Sequence, residues 1–294
     1  MIGMKSADEN NAVTQRKGTK MKKGRSIFEK VINVIFTKCL LHEVQHLIHD
    51  YTHTLSSPFD SFLEEHILAS DFYVICDEIR EIGYFAIHDG QLLTQFYIQP
   101  SYVKDAQTLF SQVIEQYRVK SLFVPTCDEL FLSLALDKDF QLTKQAYFFQ
   151  DSQLKIPENE SYKSDVFAPA TLDELLPIQH MCGEFLDQYE KRIVNGELFT
   201  YYRGATLLGI GVLEKSKMLH GLASIGMFTN EAYRKQGIGK SIILKLKKWC
   251  YSHDLSPICG CWYYNEASKR TLENAGMITT TRLLNIKVNL PEKN

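Results

Sequence analysis

The sequence predicts a layered α/β fold, a mixed sheet flanked by helices, and predicts it twice along the chain. Short segments rich in Tyr, Phe, Val and Ile read as strands, among them DFYVICDE, GYFAIHDG and LLTQFYIQ in the first half. The second half answers with ELFTYYRG, TLLGIGVLEK and GLASIGMFT. Stretches with apolar residues at helical spacing separate these strands. The same order of elements then recurs, as an internal duplication produces.

At 294 residues the chain has room for about two domains of ~150 residues. Its 45% hydrophobic and 23% charged content is that of a globular protein, which excludes a disordered or collagen-like chain. Lys and Arg number 33 against 35 Asp and Glu, so no positive field points to nucleic acid or an anionic membrane as partner. No apolar run approaches the ~18 residues that span a bilayer. Residues 1–25 are polar and basic without an apolar stretch, the composition of a disordered tail rather than a secretory signal. Seven scattered cysteines, an odd count, suit free thiols in a reducing cytoplasm.

From Ser26 to about His53, Phe28, Val31, Ile35, Leu40, Val44, Leu47 and Ile48 recur at helical spacing, which predicts one long helix or two. A short helix, Phe59–Ala69, follows Pro58. Asp89-Gly90 marks a hairpin turn between the second and third strand-like segments. A helix over 101–117, a strand over 121–124, a helix over 128–136 and a strand pair near 141–150 complete a first lobe, residues 26–150. Residues 151–163 read as a linker to a second lobe, residues 164–294. There a helix over 172–189 precedes the three strands, and a helix over 239–251, the strand ICGCWYY, a helix over 266–274 and the strand TRLLNIKV follow. YIQPSYVKD aligns with MFTNEAYRK, and CDELFLSLALDKDF with YNEASKRTLENAGM without a gap.

The segment that carries chemistry is MFTNEAYRKQGIGKSII, residues 227–243. A strand enters a short loop with Gly237 and Gly239, and the loop opens directly into a helix. The first amides of a helix lack intrahelical acceptors, and the helix dipole adds partial positive charge, so this junction suits a phosphate. Glycine lets the main chain approach that phosphate, and Lys235 and Lys240 flank it. The spacing is neither that of a P-loop nor G-x-G-x-x-G.

Arg234-Lys-Gln-Gly237-Ile-Gly239 fits Arg-x-x-Gly-x-Gly, and here the sequence resembles the GNAT superfamily of acyl-CoA-dependent N-acyltransferases. A second block, Asn265-Glu-Ala-Ser268 through Gly276-Met277, resembles the family's next conserved stretch. The resemblance implies a GNAT-like lobe over residues 164–288 with acetyl-CoA as co-substrate. It implies pantetheine contacts at Met227, Phe228 and Thr229, and a pyrophosphate loop of Arg234, Lys235, Gln236, Gly237, Ile238, Gly239 and Lys240. Asn265 and Ser268 would add contacts from the second block. The acyl-CoA would thread a V-shaped opening between GLASIGMFT and ICGCWYY.

The catalytic groups are less defined. Family members often carry a carboxylate base on the motif-bearing strand and a Tyr in the last helix. GLASIGMFT has no acid, and the Tyr position is Leu272. Glu214, His220 and Tyr264, near strand ends, are the substitutes for moving a proton. The reading is therefore an acetyl-CoA-dependent acyltransferase acting on an amine acceptor, and the alternative is a non-catalytic acyl-CoA-binding or regulatory protein. The acceptor and the oligomeric state stay open.

In the first lobe the counterpart of the loop is Val103-Lys-Asp-Ala-Gln-Thr, and no Gly occurs between Gln91 and Cys182. That lobe is expected to be silent toward the nucleotide, because Cβ atoms and Asp105 would oppose a pyrophosphate. A rival constellation is His42-Glu43-Val-Gln-His46, a literal H-E-x-x-H, with His49 and His53 beyond it. No third ligand stands at a distinctive spacing, so no metal is expected. Cys259 and Cys261 read as packed thiols.

Overall fold

A computed structural model of the chain describes residues 34–78, 80–156 and 165–289. The tail assigned to residues 1–25 lies outside them, as does most of the 151–163 linker. In the first half, β1 (Val34–Cys39) leads through a 3₁₀ turn, Leu41–Val44, to α1 (Gln45–Thr54) and α2 (Ser61–Leu68). Then come β2 (Asp71–Asp77), β3 (Arg80–His88), β4 (Leu92–Ile98), α3 (Ala106–Gln116), β5 (Ser121–Pro125), α4 (Glu129–Leu136) and β6 (Gln141–Asp151). The second half repeats this with β7 (Asp165–Pro169), α5 (Leu175–Cys182), α6 (Tyr189–Val194), β8 (Leu198–Arg203), β9 (Thr206–Lys215) and β10 (Leu222–Thr229). It ends with α7 (Ile238–Tyr251), β11 (Ser256–Trp262), α8 (Glu266–Asn274) and β12 (Met277–Lys287). Every strand and helix of the first half thus has a counterpart in the second, in the same order.

Local chemistry sets many of these boundaries. Asp60, Asp128 and Asn265 each accept a backbone N–H three residues on, at 3.2, 2.9 and 3.0 Å, and so cap α2, α4 and α8. Asp89 and Gly90 both take positive φ, +48° and +68°, the turn that joins twisted antiparallel strands β3 and β4.

All strands join one mixed sheet in the order β1-β2-β3-β4-β5-β12-β6-β11-β10-β9-β8-β7. The two halves exchange their last strands. β6 pairs with β11, Ile258 opposite Gln150 through Trp262 opposite Ala146. β12 in turn pairs with β5, Leu283 opposite Pro125 through Lys287 opposite Ser121. Each half therefore completes the core of the other. Tyr147 and Phe149 of β6 pack with Ile242, Leu246 and Leu272 of α7 and α8, while Leu284 and Ile286 of β12 pack with Phe110 and Phe131 of α3 and α4. Helices α1, α2, α5 and α6 cover the opposite face. A buried ion pair, Lys247 Nζ to Asp151 Oδ1 at 2.7 Å, ties α7 to the exchanged β6, and Lys247 also donates to the Ala275 carbonyl at 3.1 Å.

Among the described residues only two neighbouring strand pairs are parallel, and both are short. β4 meets β5 at Leu92–Ser121 and Leu93–Leu122, and β10 meets β11 from Leu222–Ser256 to Ser224–Ile258. Beyond these contacts the strands diverge, so each half holds a V-shaped opening in its sheet.

Three expectations need correction. Residues 34–39 form a strand rather than a helix: they pair with β2, Val34 and Phe36 pack on the core beneath α3 and α4, Ile35 on the other face is 55% exposed, and Cys39, on that same other face, packs against the α1 and α2 core. The predicted strand pair near 141–150 is one continuous strand, β6. The predicted 172–189 helix is broken, because Gly183 takes φ +56° after α5 and Leu186 is extended before α6 begins. Strand β7, five residues with a terminal Pro169 on the sheet edge, had no recognisable pattern. Among the described residues no helix is long and apolar enough to cross a membrane.

Candidate active site

The loop between β10 and α7 is built from its own side chains. Asn230 accepts from the Ala232 N–H at 3.1 Å and donates to the Leu207 carbonyl at 3.2 Å. Arg234 folds back, with Nε 3.4 Å from the Thr229 carbonyl, NH1 2.9 Å from Glu231 and its guanidinium 5.8 Å from the Phe228 ring. Lys235 and Gly237 then adopt left-handed backbone at φ +63° and +80°, which swings the chain into α7. A glycine meets that conformation without the cost a Cβ imposes. Helix α7 starts at Ile238 with no side-chain cap, while Arg234, Lys235 and Gln236 are exposed around its mouth. Lys240 is half-buried in the first turn.

Gly239 has a different reason from the one its motif suggests. A Cβ there would stand 3.0 Å from Thr271 Cγ2 and 3.3 Å from Thr229 Oγ1, so this glycine lets α7 pack close to both β10 and α8. Along β10, Met227, Phe228 and Thr229 lie past Ser224, the last residue paired with β11. The β11-facing edge of this stretch has no strand beside it and suits an extended amide-bearing ligand. Met227 turns to the α7 face, and Phe228 packs its ring 4.9 Å from Phe185 on the other.

At the second block, Asn265 accepts from the Ser268 N–H, so the cap of α8 is made within the block itself. Leu272 is buried in the core and offers no proton. Beside it, Tyr263 stacks on Tyr147 of β6 at 4.6 Å with rings 7° from parallel. Hydrogen bonding from Tyr147, and then the nearby Lys144 and Arg282, hold the Tyr263 hydroxyl below the usual tyrosine range.

The three proton carriers nominated from the sequence are not brought together. His220 is exposed in the β9–β10 loop, at the closed end of the opening. Tyr264 is 59% exposed beside Trp262 at the open end. Glu214 lies opposite Ser224 on β9, but its carboxylate is held by Arg192, which also reaches Asp187 and Glu197 at 3.2 and 3.3 Å.

A residue that sequence reasoning passed over stands at the opening instead. Asp60, the cap of α2 from the first half, points its second carboxylate oxygen at Gly260 of β11. A Cβ built on Gly260 would overlap that oxygen and lie 2.7 Å from Asp60 Cγ. The Ser61 N–H donates to Ser224 Oγ at 3.3 Å, and Glu64 accepts from Ser216 Oγ and the Lys217 and Met218 amides at 2.6, 2.9 and 2.7 Å. Helix α2 is thereby docked onto the second half. Burial pushes the Asp60 carboxyl up to about 7, with Glu214 and Glu65 adding to the rise and the Leu63 N–H opposing it. Between α2, α6 and β9 a cleft of about 220 Å³ opens, lined by Ser61, Glu65, Arg192 and Glu214 among others. The only sequence signal for Asp60 is that of a helix cap.

In the first half the matching loop is absent. A 3₁₀ turn, Pro100–Asp105, runs straight into α3, and among the described residues none between Gly90 and Arg118 has positive φ. The tyrosines 51, 84 and 97 pack against one another, ring centroids about 6 Å apart, and Tyr84 donates to the buried Gln95 at 3.2 Å. The H-E-x-x-H stretch straddles the junction of a 3₁₀ turn and α1. Glu43 accepts from the Leu40 N–H at 2.6 Å, and His46 pairs with Glu81 at 2.9 Å. Among the described residues no group of three His, Cys, Asp or Glu is arranged to hold a metal.

A duplicated sheet with a parallel V-shaped opening, and a glycine loop feeding the helix beside it, defines an acyltransferase architecture. Residues 40–152 match the acetyltransferase (GNAT) domain and residues 167–277 the acetyltransferase (GNAT) family. The chain belongs to the GNAT superfamily and carries two of its domains in tandem. Among solved structures it is similar to a GNAT-family acetyltransferase from Colwellia psychrerythraea, with a TM-score of 0.78, 21% identity and coverage of 87% of this chain and 100% of that one. A tandem GNAT protein from the clavulanic acid biosynthesis pathway aligns with a TM-score of 0.62 at 13% identity, covering 87% and 98% of the two chains. A GCN5-related N-acetyltransferase from Sphaerobacter thermophilus aligns with a TM-score of 0.62 at 12% identity over the same shares. At these identities the likeness is one of fold. No curated protein matches the sequence.

Proposed function

We propose that the protein transfers an acetyl group from acetyl-CoA to an amine, and that the second half alone holds the nucleotide. The observation that carries this reading is the asymmetry between the halves. Both halves have a parted parallel strand pair beside a helix without a side-chain cap, but among the described residues only the second enters that helix through a left-handed glycine turn. The amides at the start of α7, with Lys235 and Lys240, would hold the pyrophosphate, and the free edge of β10 from Met227 to Thr229 would bind the pantetheine amides. When bound, acetyl-CoA supplies an activated acyl carbon. The protein's part is to orient the amine in the cleft beside α2, keep water from the opening and take up the amine's proton.

The first half serves as scaffold and as one wall of the acceptor cleft. The seven free cysteines suit a reducing, cytoplasmic setting. A second reading, a non-catalytic acyl-CoA-binding protein, is favoured by Leu272 in place of a proton donor and by the neutralised Glu214. Release of CoA thiol from acetyl-CoA over a panel of amines decides between them. The acyltransferase reading expects release that depends on amine and is abolished in Gly237→Glu. Tight binding without release for every amine supports the second reading.

A further inference from the structure

We propose that Asp60, from the first half of the chain, is the proton acceptor for the reaction carried out in the second. The inference rests on the acyltransferase reading and names a group for the role that β10, without an acidic residue, leaves open.

The geometry carries it. β10 and β11 part company after Ser224 and Ile258, and Gly260 is two residues past that point. On a strand, residues two apart share a face, so Ile258 and Gly260 look to the same side as Ser224. That side is covered by α2. There the Asp60 carboxylate fills the space above Gly260, and the neighbouring Ser61 N–H is bonded to Ser224. One Asp60 oxygen is committed to the Leu63 N–H, and the other lies against Gly260, two residues past the last β10–β11 pair. The titratable and charged groups around it are Glu64 and Glu65 on α2, Glu214 on β9, Arg192 on α6, and Cys259 and Cys261 on β11. Arg192 is occupied by Glu214, Asp187 and Glu197, and no cation among the described residues pairs with Asp60. A buried carboxylate with no cation beside it takes up a proton readily near neutral pH, which is what a base acting on an ammonium requires.

The step balances. A substrate ammonium that reaches the Asp60 oxygen above Gly260 gives it one proton. The freed nitrogen lone pair attacks the thioester carbonyl, the C–N bond forms and the C–S bond breaks with its electrons on sulfur. The second proton lost by nitrogen passes to that sulfur, and Asp60 returns its own to solvent. Acetyl-CoA and ammonium become amide, CoA thiol and one proton.

The test uses the full-length chain with acetyl-CoA and four amine probes, n-butylamine, spermidine, glucosamine and a peptide with a free N-terminus. Asp60→Asn keeps the helix cap and the shape of the side chain. It is expected to bind acetyl-CoA as the wild type does, to lose at least ~100-fold in kcat/KM, and to lose the rise of rate with pH near 7. Asp60→Ser, a second capping variant, should behave alike. A variant with wild-type kcat/KM, or with the same pH profile as wild type, overturns the proposal while leaving the acyltransferase reading in place. Wild-type protein that binds acetyl-CoA but acetylates none of the four amines defeats the acyltransferase reading, and the proposal with it. Binding that Gly237→Glu leaves unchanged defeats the underlying reading instead.

Discussion

The carboxylate of Asp60 and the α-carbon of Gly260 share one small volume, although the residues belong to different halves of the chain. A Cβ at position 260 would overlap Asp60 Oδ2. Both residues are held, Asp60 by its cap of α2 and Gly260 by pairing with Phe148 of β6. Gly260→Ala should therefore displace α2, costing about 1–3 kcal/mol as overpacking does. Urea unfolding reads this cost, and acetyl-CoA binding at α7 should survive it.

The same carboxyl makes stability depend on pH in a defined direction. Its pKa rises from 3.8 to about 7 on folding, so the folded state retains a proton that the unfolded chain has released. Stability is therefore lost as pH climbs from about 4 to 7, by on the order of 4 kcal/mol when that shift is converted. Asn caps a helix as well as Asp and carries no charge. Asp60→Asn should match the wild type near pH 4 and exceed it in stability by a few kcal/mol at pH 8. Thermal or urea unfolding at the two pH values checks this, and equal stability at pH 8 would show that Asp60 is not held protonated by burial.

Lys247 and Asp151 test the strand exchange. Both side chains are 5% exposed, and among the described residues Asp151 Oδ2 has no partner. Lys247→Met leaves a buried, unpaired carboxylate and should cost about 3–5 kcal/mol, as breaking a buried pair does. Adding Asp151→Leu should restore most of that loss. A double variant no better than the single one would mean that Lys247 acts mainly through the Ala275 carbonyl.

Residues 165–294 expressed alone should not fold. Without β6 the strand β11 loses an antiparallel neighbour, and β12 loses both partners, leaving long apolar edges. Circular dichroism of that fragment should show little native structure, and co-expression with residues 1–156 should recover it. A soluble, cooperatively unfolding fragment would argue against the exchanged strands as the source of the core.

Much of the fold is legible in the sequence because its signals are local. Asp128 and Asn265 announce their helices through the caps they form, and the YIQPSYVKD and MFTNEAYRK segments announce the duplication. The glycine loop is legible for the same reason, since a left-handed turn before a helix leaves few residues other than glycine. Partner choice among strands is not local. β6 and β12 are alike in length, and nothing in either segment says that each pairs across the halves. Val34–Cys39 reads as helix because Ile35 falls on a helical face in a pattern that also fits alternation, and only pairing with β2 decides between them. Asp60 carries the local pattern of a cap, but its second role depends on docking against residues 164 and 200 positions further along the chain, which no local pattern encodes.

The central claim is that one nucleotide thioester binds per chain, at the start of α7. Calorimetric titration of the full-length protein with acetyl-CoA tests it directly, alongside Gly237→Glu and Lys104→Glu, a charge change at the matching turn of the first half. One site per chain is expected, weakened at least ~100-fold in Gly237→Glu, where Cβ strain and a negative charge meet the phosphate, and unchanged in Lys104→Glu. Two sites per chain, or a single site that responds to Lys104→Glu and not to Gly237→Glu, would contradict the account.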